Sequence, residues 1–208
     1  MYVPEHFKEE GADRLETLIH AYSFGVLVSA HEGLPIASHL PFLYDRHAGK
    51  NGRLIGHMAR GNPQWKSLAD GQTVLAIFQG PHAYISPAWY ESPGVPTWNY
   101  AVAHLYGKAA LVEERHALEK IVRRLTAFHE QGDHEAGAPG ISPENWSRLL
   151  GMIVGFEIEV TEIQGKFKLN QNRSQEDQRR VVEALARGGS ESATALAGLM
   201  TANLERTP

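Results

Sequence analysis

Two short stretches place residues at spacings suited to holding an anion. In residues 56–65, GHMARGNPQW, an apolar strand runs into Arg60 and then into Asn62-Pro63. Asn is a favoured helix N-cap and Pro a favoured first helical residue, so a helix is expected to start there. Its free backbone N–H groups and positive dipole end would face the same space as the guanidinium. A phosphate monoester suits that space, because Arg offers two parallel donors. The plainer alternative is a surface arginine beside an ordinary cap. In residues 165–174, GKFKLNQNRS, Lys166 and Lys168 fall on one side of an extended segment, followed by Asn170, Gln171 and Asn172. Carboxamides both donate and accept, which fits the polar edge of a heterocycle. A polar turn with Ser174 as the next N-cap explains the same residues.

Residues 73–107 carry the densest chemistry: His82, Tyr84, Ser86, Trp89, Tyr90, Thr97, Trp98 and Asn99 lie between two apolar runs. A connection this aromatic on a rigid sheet suits a ligand, although the rings could equally pack a barrel end. His129-Glu130 with Asp133 and His134 looks like a metal cluster, but Gly132 interrupts the helix, so a solvated helix end is the expectation and no metal site is assigned. No Gly-rich dinucleotide fingerprint, P-loop, nucleophile elbow or zincin motif occurs.

The elements that must position these residues are legible from periodicity. A helix is predicted over 13–22, strands over 24–30 and 34–44 around a turn at His31-Glu32-Gly33, and a strand over 53–58. Pro35 and Pro41 push the second strand towards an edge or a bulge. Residues 73–78 read as a strand ending at Gln79-Gly80-Pro81, and a second strand runs from Trp98 to Gly107. Leu118, Ile121, Val122, Leu125 and Phe128 mark an amphipathic helix over 114–131. Ser142-Pro143 caps another. Residues 154–168 read as a strand, a turn at Gln164-Gly165 and a short return. Two polar-faced helices, 175–186 and 192–204, close the chain around Gly188-Gly189. Six or so strands precede most helices with no βαβ alternation, so the class is α+β with an antiparallel sheet or small barrel.

Composition narrows the function classes. The chain has 208 residues, 42% hydrophobic and 21% charged, as in ordinary globular domains. The absence of Cys excludes disulfides, thiolate catalysis and Cys-bound metals. A net charge of −4 argues against a dedicated nucleic-acid binder, although Lys166, Lys168, Arg173, Arg179, Arg180 and Arg187 could form a local basic patch. No apolar run is long enough to span a bilayer, and the polar start is unlike a signal peptide, so no membrane association and a cytoplasmic location are expected.

The composite of MYVPEHF, ASHLPFL, GHMARGNPQW, LAIFQGPHAYISPAWY, VPTWNYAVAHLYG and IVGFEIEVTEIQGKFKLNQNR closely resembles the PaiB-type proteins, described as FMN-binding negative transcriptional regulators. The likeness runs from Met1 to about Arg187. It departs in the loop WYESPGV, shorter than the family's usual lysine-containing version, and at Asn170, where Ser is expected.

The resemblance implies an antiparallel split β-barrel of the FMN-binding type over residues 1–173, with flanking helices and a C-terminal helical extension over 174–208. It implies a homodimer with FMN sites at the subunit interface, and it leaves DNA open as a partner. Arg60 and Asn62 would then seat the FMN phosphate with Ser38 or His39, and Lys168 would supply a second cation. His57, Met58 and Ala59 would run along the ribityl chain and one ring edge. Thr97, Trp98, Asn99 and Tyr100 would contact the isoalloxazine, with Gln171 and Asn172 closing the site. The implied role is negative regulation of transcription. The alternatives are an FMN-dependent oxidoreductase and, in another split-barrel branch, a haem-binding protein.

Overall fold

The structure is a computed structural model that describes residues 1–69, 71–130 and 141–206. Its strands are β1 (Lys8–Glu9), β2 (Phe24–His31), β3 (Leu34–Pro41), β4 (Leu43–Asp45), β5 (Arg53–Ala59), β6 (Thr73–Ile85), β7 (Thr97–Val112) and β8 (Ile153–Lys168). The helices are α1 (Ala12–Ala21), α2 (Trp65–Ala69), α3 (Arg115–Glu130), α4 (Pro143–Leu150), α5 (Gln175–Arg187) and α6 (Glu191–Arg206). The sheet order is β3-β2-β6-β7-β8-β5-β4, with β1 beside β8. The class is the expected α+β.

The chain forms two compact units, one from Met1–Leu18, Gln79–Ala103 and Gln164–Pro208, the other from Ile19–Phe78 and His104–Ile163. In the second unit Glu32 and Gly33 both take left-handed backbone, φ 51° and 80°, closing the β2–β3 hairpin at the predicted turn. The prolines of β3 place it at one end of the sheet path, as expected. Phe42 breaks the predicted 34–44 strand into β3 and β4. Its ring is fully buried and packs edge-on against Phe78 and Phe156. Leu27, Leu54, Met58, Leu105 and Ile158 complete this core, and α3 buries Leu118, Ile121 and Leu125.

Two predicted turns are absent. β6 continues through Gln79-Gly80-Pro81, and β8 continues through Gln164-Gly165. Both corrections have one cause in the first unit. A Cβ on Gly80 would lie 2.4 Å from Leu18 of α1, and a Cβ on Gly165 would lie 2.4 Å from Glu9 O of β1 and 2.6 Å from Leu15 of α1. These glycines are where a helix side chain meets the strand backbone, not where the strand reverses. Near the N-terminus Glu5–Phe7 form a 3₁₀ turn. Ser142 and Ser174 cap α4 and α5, and Gly188 ends α5. Among the described residues no helix is long and apolar enough to cross a membrane.

Candidate functional site

In the second unit, β5 delivers Arg60 into a turn tied down on several sides. The Arg60 amide donates to Met152 O at 2.8 Å, and the Asn62 amide donates to Ala59 O at 2.9 Å. The Asn62 side chain is used at both ends. Its Oδ1 accepts from the Gln64 amide (3.0 Å), and its Nδ2 donates to Ser38 Oγ (2.8 Å). Beneath it, buried Gln64 Nε2 reaches Leu27 O, Ile36 O and Ser29 Oγ at 3.0–3.2 Å, holding the β2–β3 hairpin to the turn. The helix is later and shorter than predicted. α2 has five residues, because i→i−3 bonds from Lys66 to Pro63 and from Ser67 to Gln64 form the first turn. Little dipole is available from so short a helix. The anion-binding capacity here therefore rests on side chains.

Because Asn62 donates into Ser38 Oγ, the Ser38 hydroxyl keeps its own proton for a ligand. The Arg60 guanidinium reaches Glu113 (3.1 Å) and Ile153 O (3.4 Å), and its Cζ lies 5.9 Å from the Trp65 ring centroid. The Arg60 and Glu113 side chains are 42% and 52% exposed, so this ion pair is a weak tether. His39 lies on the opposite face of β3 from Ser38 and stacks on Phe24. Met58 is packed in the core, and Ala59 is exposed. His57 is half-buried on β5. Burial pushes its pKa below the ordinary histidine value, and its Nδ1 has no partner among the described residues. His104 of β7, which sequence reasoning missed, has the same two features. The only signal for it was one polar residue in an apolar run.

In the first unit, Lys168 Nζ donates to Thr97 Oγ1 and to Trp98 O, so these three predicted residues do meet. Asn99 is fully buried and donates to Met200 Sδ at 3.5 Å, leaving Oδ1 unpartnered. Tyr100 places its ring centroid 5.4 Å from Lys166 Nζ. Gln171 spends its amide on its own turn, accepting from Leu169 N (2.7 Å) and donating to Phe167 O (2.5 Å). Asn172 is exposed. Asn170, at φ 66°, is buried and donates to Tyr90 Oη. Asp133 and His134 lie outside the described residues. Among those described, no three His, Asp or Glu side chains gather as a metal ion would require.

Residues 1–162 match the family described as "Putative FMN-binding domain". The chain is 38% identical over 206 residues to the protein "Protease synthase and sporulation protein PAI 2" of Bacillus subtilis, covering 99% of each. Its fold is that of the flavocytochrome Anf3 from Azotobacter vinelandii, with a TM-score of 0.64 at 14% identity over 86% of this chain and 78% of that one. A protein from Mycobacterium smegmatis described as binding FAD and haem gives 0.59 at 16% identity, over 88% and 80%. With these neighbours the antiparallel sheet and its flanking helices are a split barrel.

Proposed function

The chain belongs to the PaiB-type family of FMN-binding proteins, and on that premise we propose that it is a flavin-binding transcriptional regulator acting as a homodimer. The observation that carries the reading is the Ser38–Asn62–Arg60 arrangement. FMN is the family's cofactor, and the residues present fit it. Arg60 can exchange a weak, exposed carboxylate partner for a phosphate, which accepts two parallel guanidinium donors. Asn62 keeps the Ser38 proton available to the same anion. His57, held neutral by burial, offers an unengaged Nδ1 to a polar ring edge. When bound, FMN supplies reversible electron and hydride chemistry.

The homodimer rests on a bare sheet face. Phe24 is 66% exposed, and Val26, Val28, Leu75 and Ile77 beside it in register are only half-buried. A flat apolar patch of this kind favours a second copy meeting it face to face. The regulatory role draws on the resemblance to the PaiB-type regulators, and the Bacillus relative is itself named for protease synthase and sporulation. The basic side chains of α5 give little support to direct DNA contact. Arg179 and Arg180 pair with Glu176, and Arg187 pairs with Glu183. The second reading, an FMN-dependent oxidoreductase, draws on His57, since a neutral imidazole can hold a substrate or a proton at Nδ1.

Arg60→Ala tests the site. Losing a charge-assisted contact of about 1.5–3 kcal/mol should weaken FMN binding roughly ten- to hundredfold in a fluorescence titration. Unchanged affinity would refute the phosphate assignment. A salt-sensitive, sequence-selective gel shift supports the regulator, and NAD(P)H oxidation by the FMN-loaded protein supports the enzyme.

A further inference from the structure

The end of β8 carries an unusual concentration of positive charge. Lys166 and Lys168 are two residues apart and therefore share a face of the strand. Lys8 of β1 stands directly opposite Lys166 in register. Lys8 is exposed and paired with Glu10 at 2.6 Å. Glu9, the acid of β1, is held by Arg14 at 2.5 Å. Neither Lys166 nor Lys168 has a carboxylate partner among the described residues.

The groups that their ammoniums touch are neutral. Lys166 is only 8% exposed, and its Nζ donates to Tyr2 O at 3.1 Å. The ring centroids of Tyr2 and Tyr100 lie 5.6 and 5.4 Å from the same atom. Lys168 Nζ donates to Thr97 Oγ1 and Trp98 O and lies 5.9 Å from the Phe7 ring centroid. Burial, and then the charge of Lys166, hold the Lys168 ammonium below the usual lysine range. Carbonyls and ring faces offset only part of the cost of taking an ammonium out of water. Buried charges are normally paired, and here buried Lys166 and half-buried Lys168, neighbours on one strand face, have no anion among the described residues. Nearby, Trp98 is 53% exposed, with the rings of Tyr84 and His82 at 6.1 and 6.3 Å. Exposed aromatic surface thus adjoins the cations.

We propose that Lys166 and Lys168 form a second ligand site, which takes the oxyanion group of a small flat metabolite, a carboxylate or a phosphate, while the neighbouring rings take its body. The proposal does not rest on the flavin reading. Both lysines lie beyond residues 1–162, which match the FMN-binding domain, but within the stretch that resembles the PaiB-type proteins. There Lys168 is expected at the FMN phosphate, so the comparison with Arg60→Ala separates the two assignments.

The test uses the full chain, titrated separately with inorganic phosphate and with benzoate and followed by thermal unfolding. The two ligands distinguish a phosphate site from a carboxylate site. The expected result is that at least one raises Tm in the wild type and in Arg60→Ala, and that Lys168→Gln or Lys166→Met weakens that binding tenfold or more. Lys166→Met should leave the ligand-free Tm unchanged or raised, since an apolar side chain of similar length removes an unpaired buried charge. Should Lys166→Met fail to fold, the lysine is structural and the proposal falls. It falls equally if neither anion shifts the wild type, or if Lys168→Gln responds as the wild type does. Loss of FMN binding in Lys168→Gln with full retention in Arg60→Ala would assign the lysines to the flavin phosphate and overturn a separate site.

Discussion

Asn62 performs two tasks that substitution can separate. Asn62→Ala removes the acceptor for the Gln64 amide and the donor to Ser38. Gln64 is fully buried, so leaving its N–H unpaired costs about 1–3 kcal/mol, and the lost neutral bond to Ser38 costs about 1 kcal/mol more. Urea unfolding should therefore show a loss of about 2–4 kcal/mol, against about 1 kcal/mol for Ser38→Ala. Asn62→Asp behaves differently. Its carboxylate still accepts from Gln64, and Ser38 can turn its proton towards it, so stability should stay within about 0.5 kcal/mol of wild type. The ligand, however, loses that proton and meets a like charge. At a few ångströms in a water-like dielectric, a carboxylate and a phosphate dianion repel by about 1–2 kcal/mol, which weakens FMN binding roughly tenfold. Fluorescence titration of the three variants checks this order. An Asn62→Asp protein that unfolds as readily as Asn62→Ala would refute the hydrogen-bond account, and one that binds FMN like the wild type would refute the anion seat.

A pH signature is expected at Asp177, where α5 holds the loop before β7. Its carboxylate accepts from Ser92 Oγ at 2.5 Å and from the Glu91 and Ser92 amides at 2.8 and 3.4 Å. The Ser92 hydroxyl chiefly, opposed by burial and aided by the two amides, holds its pKa below the ordinary carboxylate value. A depressed folded pKa gives stability that is complete above the unfolded value of about 3.9 and is lost as pH falls through the folded one. Asp177→Asn should therefore unfold at lower urea than wild type near pH 7, with the gap narrowing as pH falls below the unfolded value of about 3.9. A gap that stays constant across the range would remove the carboxylate from the account. Phe24→Glu, on the bare sheet face, should halve the mass measured by light scattering without loss of secondary structure. A dimer that survives it would move the interface elsewhere.

Periodicity and caps carried most of the elements. α3, the edge position of β3, and the serine caps of α4 and α5 follow from neighbouring residues alone. Gly80 and Gly165 misled because a glycine that admits a distant leucine has the same local signature as one that turns the chain. The site shows the same division. Residue type reveals hydrogen-bonding capacity, and only the fold reveals whether that capacity is already used. Gln171 looks like a ligand contact and is spent on its own backbone, while Met58 and Asn99 are taken up by packing. The converse matters more for function. Across from Gly165 and Lys166, β1 carries Glu9 and Lys8, with Glu10 following. Arg14 and Lys8 hold those acids, which leaves buried Lys166 and half-buried Lys168 without a counter-ion among the described residues. Carbonyls, a hydroxyl and ring faces offset part of that charge, and the proposed oxyanion would supply the rest from outside the chain.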